Sequence, residues 1–85
     1  MLVGKAKECE GAHEIEAGYF ESLEQCAHAC DSLSEMFVYG TREHGVDNQY
    51  CRDDNNCKCM CEENTIDYTC KTAAHDAYNL YAFKK

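Results

Sequence analysis

Eight cysteines carry the chemistry of this 85-residue chain, and their spacing sorts them. Cys57, Cys59 and Cys61 alternate with Lys58 and Met60, so on a strand all three share one face. Cys26 and Cys30 stand four apart, one helical turn or about 6 Å along an axis. Same-face neighbours on a strand are about 6.6 Å apart. The two spacings match, so two parallel disulfides can fasten a helix to a strand within ordinary disulfide geometry. Cys57 and Cys61 lie about 13 Å apart on a strand, too far for both to reach the helix pair. Pairing Cys51 with Cys57 sends Cys59 and Cys61 to the helix, in an order that spacing leaves open. Cys9 and Cys70 then tie the two ends of the chain.

The competing chemistry is metal binding, because Cys57, Cys59 and Cys61 as thiolates would suit Zn or Cu(I). Nine aromatic residues and regular strand patterning argue against a metallothionein. His13, His28, His44 and His75 are scattered, and no Cys/His spacing fits a zinc finger. Paired cysteines are not thiolates, so a Cys/His nucleophile is not expected either. No nucleophile elbow, phosphate loop or placed carboxylate pair is present. The oxygen-rich run Asp53-Asp54-Asn55-Asn56 lacks the glycine and the closing glutamate of an EF-hand loop, and reads as turn chemistry. The reading is therefore not an enzyme, with no cofactor and no metal.

The elements that would position these cysteines follow from local pattern. Ser22, with Gln25 three residues on, forms a capping box. Leu23, Cys26, Ala27 and Cys30 then make the apolar stripe of a helix of about ten residues, with Glu24, Gln25, His28 and Asp31 facing outward. Met36 to Gly40 is a dense β-forming run, Phe37 and Tyr39 on one face, Met36 and Val38 on the other. Lys5 to Glu10, Cys57 to Glu62 and Tyr78 to Phe83 also read as strands, and Ile66 to Thr69 as a further short one. Gly18 marks a turn before Tyr19 and Phe20. There is no proline, repeat or low-complexity linker. The expectation is one α+β domain over residues 1–85, with its core at about 9–83.

A chain this short buries only about 60–65% of its unfolded surface and leans on staples. An even, dense cysteine count points to an oxidising compartment, hence a secreted or extracellular protein. Met1 to Lys5 is too short for the apolar region of a signal peptide, so the chain reads as a mature form. No apolar run approaches the ~20 residues of a membrane span. Sixteen acidic residues face eight basic ones, and no Lys or Arg occurs between Glu8 and Thr41. Such a surface repels nucleic acid and anionic membranes, and attracts basic protein faces or cations.

Phe20 to Cys30 with its Cys-x-x-x-Cys, then Phe37-Val38-Tyr39, Cys57-Lys58-Cys59 and Tyr78-Asn79-Leu80-Tyr81, resembles the PAN/apple domain family over about residues 9–83. The resemblance implies one helix packed on a curved antiparallel sheet of about five strands, and binding of proteins or carbohydrates. The chain departs from the family at Met36, where a cysteine usually pairs with the second helix cysteine, and the 57–61 run supplies the substitute. A helix-borne Cys-x-x-x-Cys stapled to Cys-x-Cys is also the core of cystine-stabilised αβ toxins and host-defence peptides, the alternative reading. The ligand surface is expected on the loop from Thr41 to Asn56. There Arg42, Glu43, His44, Asp47, Asn48, Tyr50 and Arg52 mix both charges with an aromatic, and loops on rigid scaffolds commonly carry recognition.

Overall fold

The computed structural model describes residues 1–11, 14–42, 50–52 and 55–83. The chain forms β1 (Leu2–Cys9), β2 (Glu14–Phe20), α1 (Leu23–Cys30), β3 (Met36–Gly40), β4 (Cys57–Glu62) and β5 (Thr72–Ala82). The five strands make one antiparallel sheet in the order β1-β5-β3-β4-β2, so the first two strands lie at opposite edges. The helix packs on β2, β3 and β4. This is a disulfide-rich α+β protein, a helix laid on a five-stranded antiparallel sheet.

Local chemistry explains the helix limits. The Ser22 hydroxyl accepts a 3.2 Å hydrogen bond from the Gln25 N–H, and the Gln25 side chain accepts one from the Glu21 N–H at 2.9 Å. Two N-terminal donors are thereby satisfied. The buried face is Cys26 and Cys30, with Leu23 and Ala27 half-buried beside them. The helix spans eight residues rather than about ten.

The disulfides set its direction. Cys26 bonds Cys59 and Cys30 bonds Cys61, with Cα separations of 5.6 and 5.4 Å. One turn of helix is thus matched to one two-residue step of β4, and α1 runs parallel to that strand. Cys9–Cys70 and Cys51–Cys57 complete the set, and no cysteine is free. The thiolate-metal alternative therefore has no ligands.

Strand alternation divides the interior in two. Phe37, Cys59 and Cys61 pack under the helix with Cys26 and Cys30, joined by Ile15, Phe20, Tyr81 and Phe83 at their margin. Phe37 stacks on Tyr81 with ring centroids 5.3 Å apart. On the far face Met36, Val38, Tyr78, Leu80 and Ala82 gather around Cys9. A five-residue strand placed between β5 and β4 feeds both cores, which is why β3 is almost wholly buried.

Three local expectations are corrected. Gly18 does not end an element; it lies within β2 at φ +122°, where the register slips between Glu16 and Gly18. Ile66 to Thr69 is no strand of the sheet but a tight turn: Ile66 and Thr69 exchange backbone hydrogen bonds around Asp67 and Tyr68, both at positive φ. Two left-handed central residues are the mark of a type I′ hairpin turn. The closing strand begins at Thr72 rather than Tyr78, because Thr72, Ala73 and Ala74 pair with Cys9, Glu8 and Lys7 of β1. Its alanines carry too little β-forming character to announce this.

Candidate recognition face

The far face of the sheet, opposite the helix, brings together rings and cations from four parts of the chain. Its assembly starts at the Gly18 bulge. Side chains alternate along β2, so an unbroken strand carrying Ile15 and Ala17 inward would carry Tyr19 under the helix too. The extra residue at the bulge reverses the parity. Phe20 turns to the helix side, and Tyr19 faces outward beside Lys58, its register partner on β4.

The hairpin closed by Cys51–Cys57 brings in the next two residues. Lys58 N–H donates to the Tyr50 carbonyl at 2.7 Å, and Arg52 N–H donates to the Asn56 carbonyl at 2.7 Å. The Arg52 guanidinium lies over the Tyr19 ring, 3.9 Å from its centre. Lys58 sits 5.6 Å from the centre of the Tyr50 ring and 3.9 Å from the Glu16 carboxylate. Arg42 donates from Nη2 to the Arg52 carbonyl. Both arginines of the chain thus converge on this hairpin. Cation–ring contacts of this kind hold a guanidinium in place while leaving its edge donors available.

Behind them, Tyr50, His75 and Tyr78 form an aromatic cluster. His75 stacks on Tyr78 at 4.4 Å, and Tyr50 meets them at 5.2 and 5.1 Å. Tyr78 is buried, and its hydroxyl is pushed well above the usual tyrosine range, first by desolvation and then by Glu14 and its neighbours.

The acidic border of this cluster is Glu8, Glu14 and Glu62, whose carboxylate oxygens lie within 4.8 Å of one another. They come from β1, β2 and β4, so they mark where the two sheet edges approach. Glu62 is 1% exposed and accepts a 2.8 Å hydrogen bond from the Cys9 N–H. Its pKa is pushed up to about 8, first by burial and then by Glu14 and Glu8, against the opposing Cys9 hydrogen bond. Burial and the neighbouring carboxylates thus both favour the protonated form of Glu62. Burial also raises Glu8, whereas His75 lowers it.

Of the residues expected to bind ligand, Arg42, Tyr50 and Arg52 meet on this face. Glu43, His44, Asp47 and Asn48 lie outside the described residues. Sequence reasoning missed Tyr19, Lys58, His75 and Tyr78. Lys58 was within reach, since a hairpin closing Cys51 on Cys57 places it beside Tyr50. Tyr19 was not, because its position depends on the bulge. Two shallow hollows border the opposite, helical side: one lies between Phe20 and Ala29, the other between Ala27 and Phe83.

The fold and face together define the class: a disulfide-stapled α+β protein presenting a ring-and-cation surface on a rigid sheet. Compared with protein-family models, curated proteins and solved structures, the chain matches none. Among the described residues, no helix is long and apolar enough to cross a membrane.

Proposed function

We propose that this chain is a secreted, PAN/apple-like recognition module that binds an extracellular protein or carbohydrate through the face of Tyr19, Tyr50, Arg52 and Lys58. One observation carries the reading. Both arginines converge, with two tyrosines, on a hairpin held by Cys51–Cys57, in a chain with twice as many acidic as basic residues. Tyrosine and arginine dominate binding hot spots because they combine large flat area with directional donors. Four disulfides support the extracellular assignment, since such bonds persist in oxidising compartments. The helix laid on a five-stranded antiparallel sheet supports the PAN/apple-like assignment.

A glycan array combined with an extracellular-protein binding screen identifies the ligand. Tyr50→Ala and Arg52→Ala should then weaken binding by about 1–4 kcal/mol each, as hot-spot residues do. Undiminished affinity in both variants would remove this face from the reading.

The Cys26–Cys59 and Cys30–Cys61 staple favours one second reading, a cystine-stabilised αβ toxin or host-defence peptide. The acid balance makes it a poor partner for anionic lipid. Leakage from anionic vesicles at low micromolar protein would put that reading first.

A further inference from the structure

The helix presents a second surface, on the side of the sheet away from Tyr19 and Tyr50. Its exposed ridge is Glu24, Gln25 and His28, followed by Asp31. On one flank lies a hollow of about 520 Å³ between Phe20 and Ala29. On the other flank a hollow of about 330 Å³ lies between Ala27 and Phe83. Glu24 and His28 border both. The floors are apolar and aromatic, while the rims carry carboxylates.

We propose that this ridge and its flanking hollows dock a basic, apolar segment of a partner protein, with aliphatic side chains in the hollows and Lys or Arg against Glu24 and Asp31. Charge complementarity selects the occupant. Glu24 and Asp31 line the hollows and, among the described residues, no Lys or Arg does, so the ridge repels anionic partners and attracts cationic ones. The apolar floors select further, because a purely polar cationic segment would leave Phe20 and Phe83 in water. Both hollows are open and shallow, which suits a segment lying across the ridge rather than an enclosed small molecule.

The ridge is also ordered in advance. Cys26–Cys59 and Cys30–Cys61 hold both turns of α1, and Ser22 caps its start. A surface already fixed loses little conformational entropy when a partner arrives. The domain then has two independent faces, and could join one partner at the helix to another at the sheet.

The test uses fluorescence anisotropy with three labelled peptides of equal length: alternating lysine–leucine, lysine–serine and glutamate–leucine. The lysine–leucine peptide should bind, with affinity falling as salt rises, and the other two should bind at least about tenfold more weakly. Glu24→Lys and Ala29→Arg, both on the helix, should each weaken binding by about tenfold or more. Asp76→Lys makes the same charge change on β5, beyond the stretch that pairs with β3, and should change affinity by less than about threefold. The proposal fails if the lysine–leucine peptide does not bind, or if lysine–serine binds equally well. It also fails if Asp76→Lys weakens binding as much as Glu24→Lys, because attraction would then belong to the net charge and not to the ridge. None of these readouts depends on Tyr50 or Arg52, so failure here leaves the sheet-face reading standing.

Discussion

The Glu62 carboxylate accepts a hydrogen bond from the backbone N–H of Cys9, 2.8 Å away and 53 residues earlier in the chain. The contact joins the end of β1 to the end of β4, beside the Cys9–Cys70 disulfide. It places a glutamate 1% exposed in a core otherwise made of Met36, Val38, Leu80 and their neighbours. A carboxylate in such a place resists ionisation, and Glu14 and Glu8 add like charge against it.

The first prediction is a stability that falls with alkalinity. The folded pKa of Glu62, about 8, lies above the ordinary glutamate value of 4.5. Between those pH values the folded protein keeps a proton that the unfolded chain has released, so the unfolded state binds fewer protons and stability declines as pH rises. The contribution is fully present below about pH 4.5 and is lost through about pH 8. Glu8 is shifted in the same direction. Thermal melts from pH 5 to 9 should show a declining melting temperature, and Glu62→Gln should flatten the decline. An unchanged slope in Glu62→Gln would assign the effect to other groups.

Loss of a helix staple should cost more than loss of the hairpin bond. Cys26–Cys59 spans 33 residues of separation and Cys51–Cys57 spans 6. In the chain-entropy model these correspond to about 4 and about 2 kcal/mol. Replacing both cysteines of each pair by serine, so that no thiol is left to exchange, separates the two in urea titrations. Equal losses would show that loop closure does not set the cost of losing these bonds.

Gly40 should not tolerate a side chain. A Cβ there would stand 2.9 Å from the Tyr50 carbonyl oxygen, 3.2 Å from Cys57 Cβ and 3.3 Å from Lys58 N. Two of these are backbone atoms held by the β4 hairpin, so they cannot step aside as a flexible chain would. Gly40→Ala should destabilise by about 1–3 kcal/mol, as overpacking does. It should also displace Tyr50 and weaken ligand binding, whereas Gly4→Ala, which meets only the mobile end of Lys7, should do neither. Calorimetry of both variants checks the contrast.

What the sequence determined by itself rests on short periods. Helical spacing of Cys26 and Cys30, strand spacing of Cys57, Cys59 and Cys61, and the Ser22–Gln25 cap are set by backbone geometry within a few residues. The alternation of Phe37 and Tyr39 with Met36 and Val38 likewise divided the two cores before any strand order was known. Tertiary structure alone decided what depends on pairing between distant strands. The order Cys26–Cys59 and Cys30–Cys61 follows from the direction in which α1 lies along β4, which no local spacing specifies. Tyr19 reaches Arg52 because one extra residue at Gly18 turns the strand over, and a bulge is defined only against its partner strand. Glu8, Glu14 and Glu62 meet because β1 and β2, at opposite edges of the sheet, approach each other at one end. Each carboxylate alone reads as an ordinary surface charge; burial first, and then their convergence, favours the protonated form of Glu62.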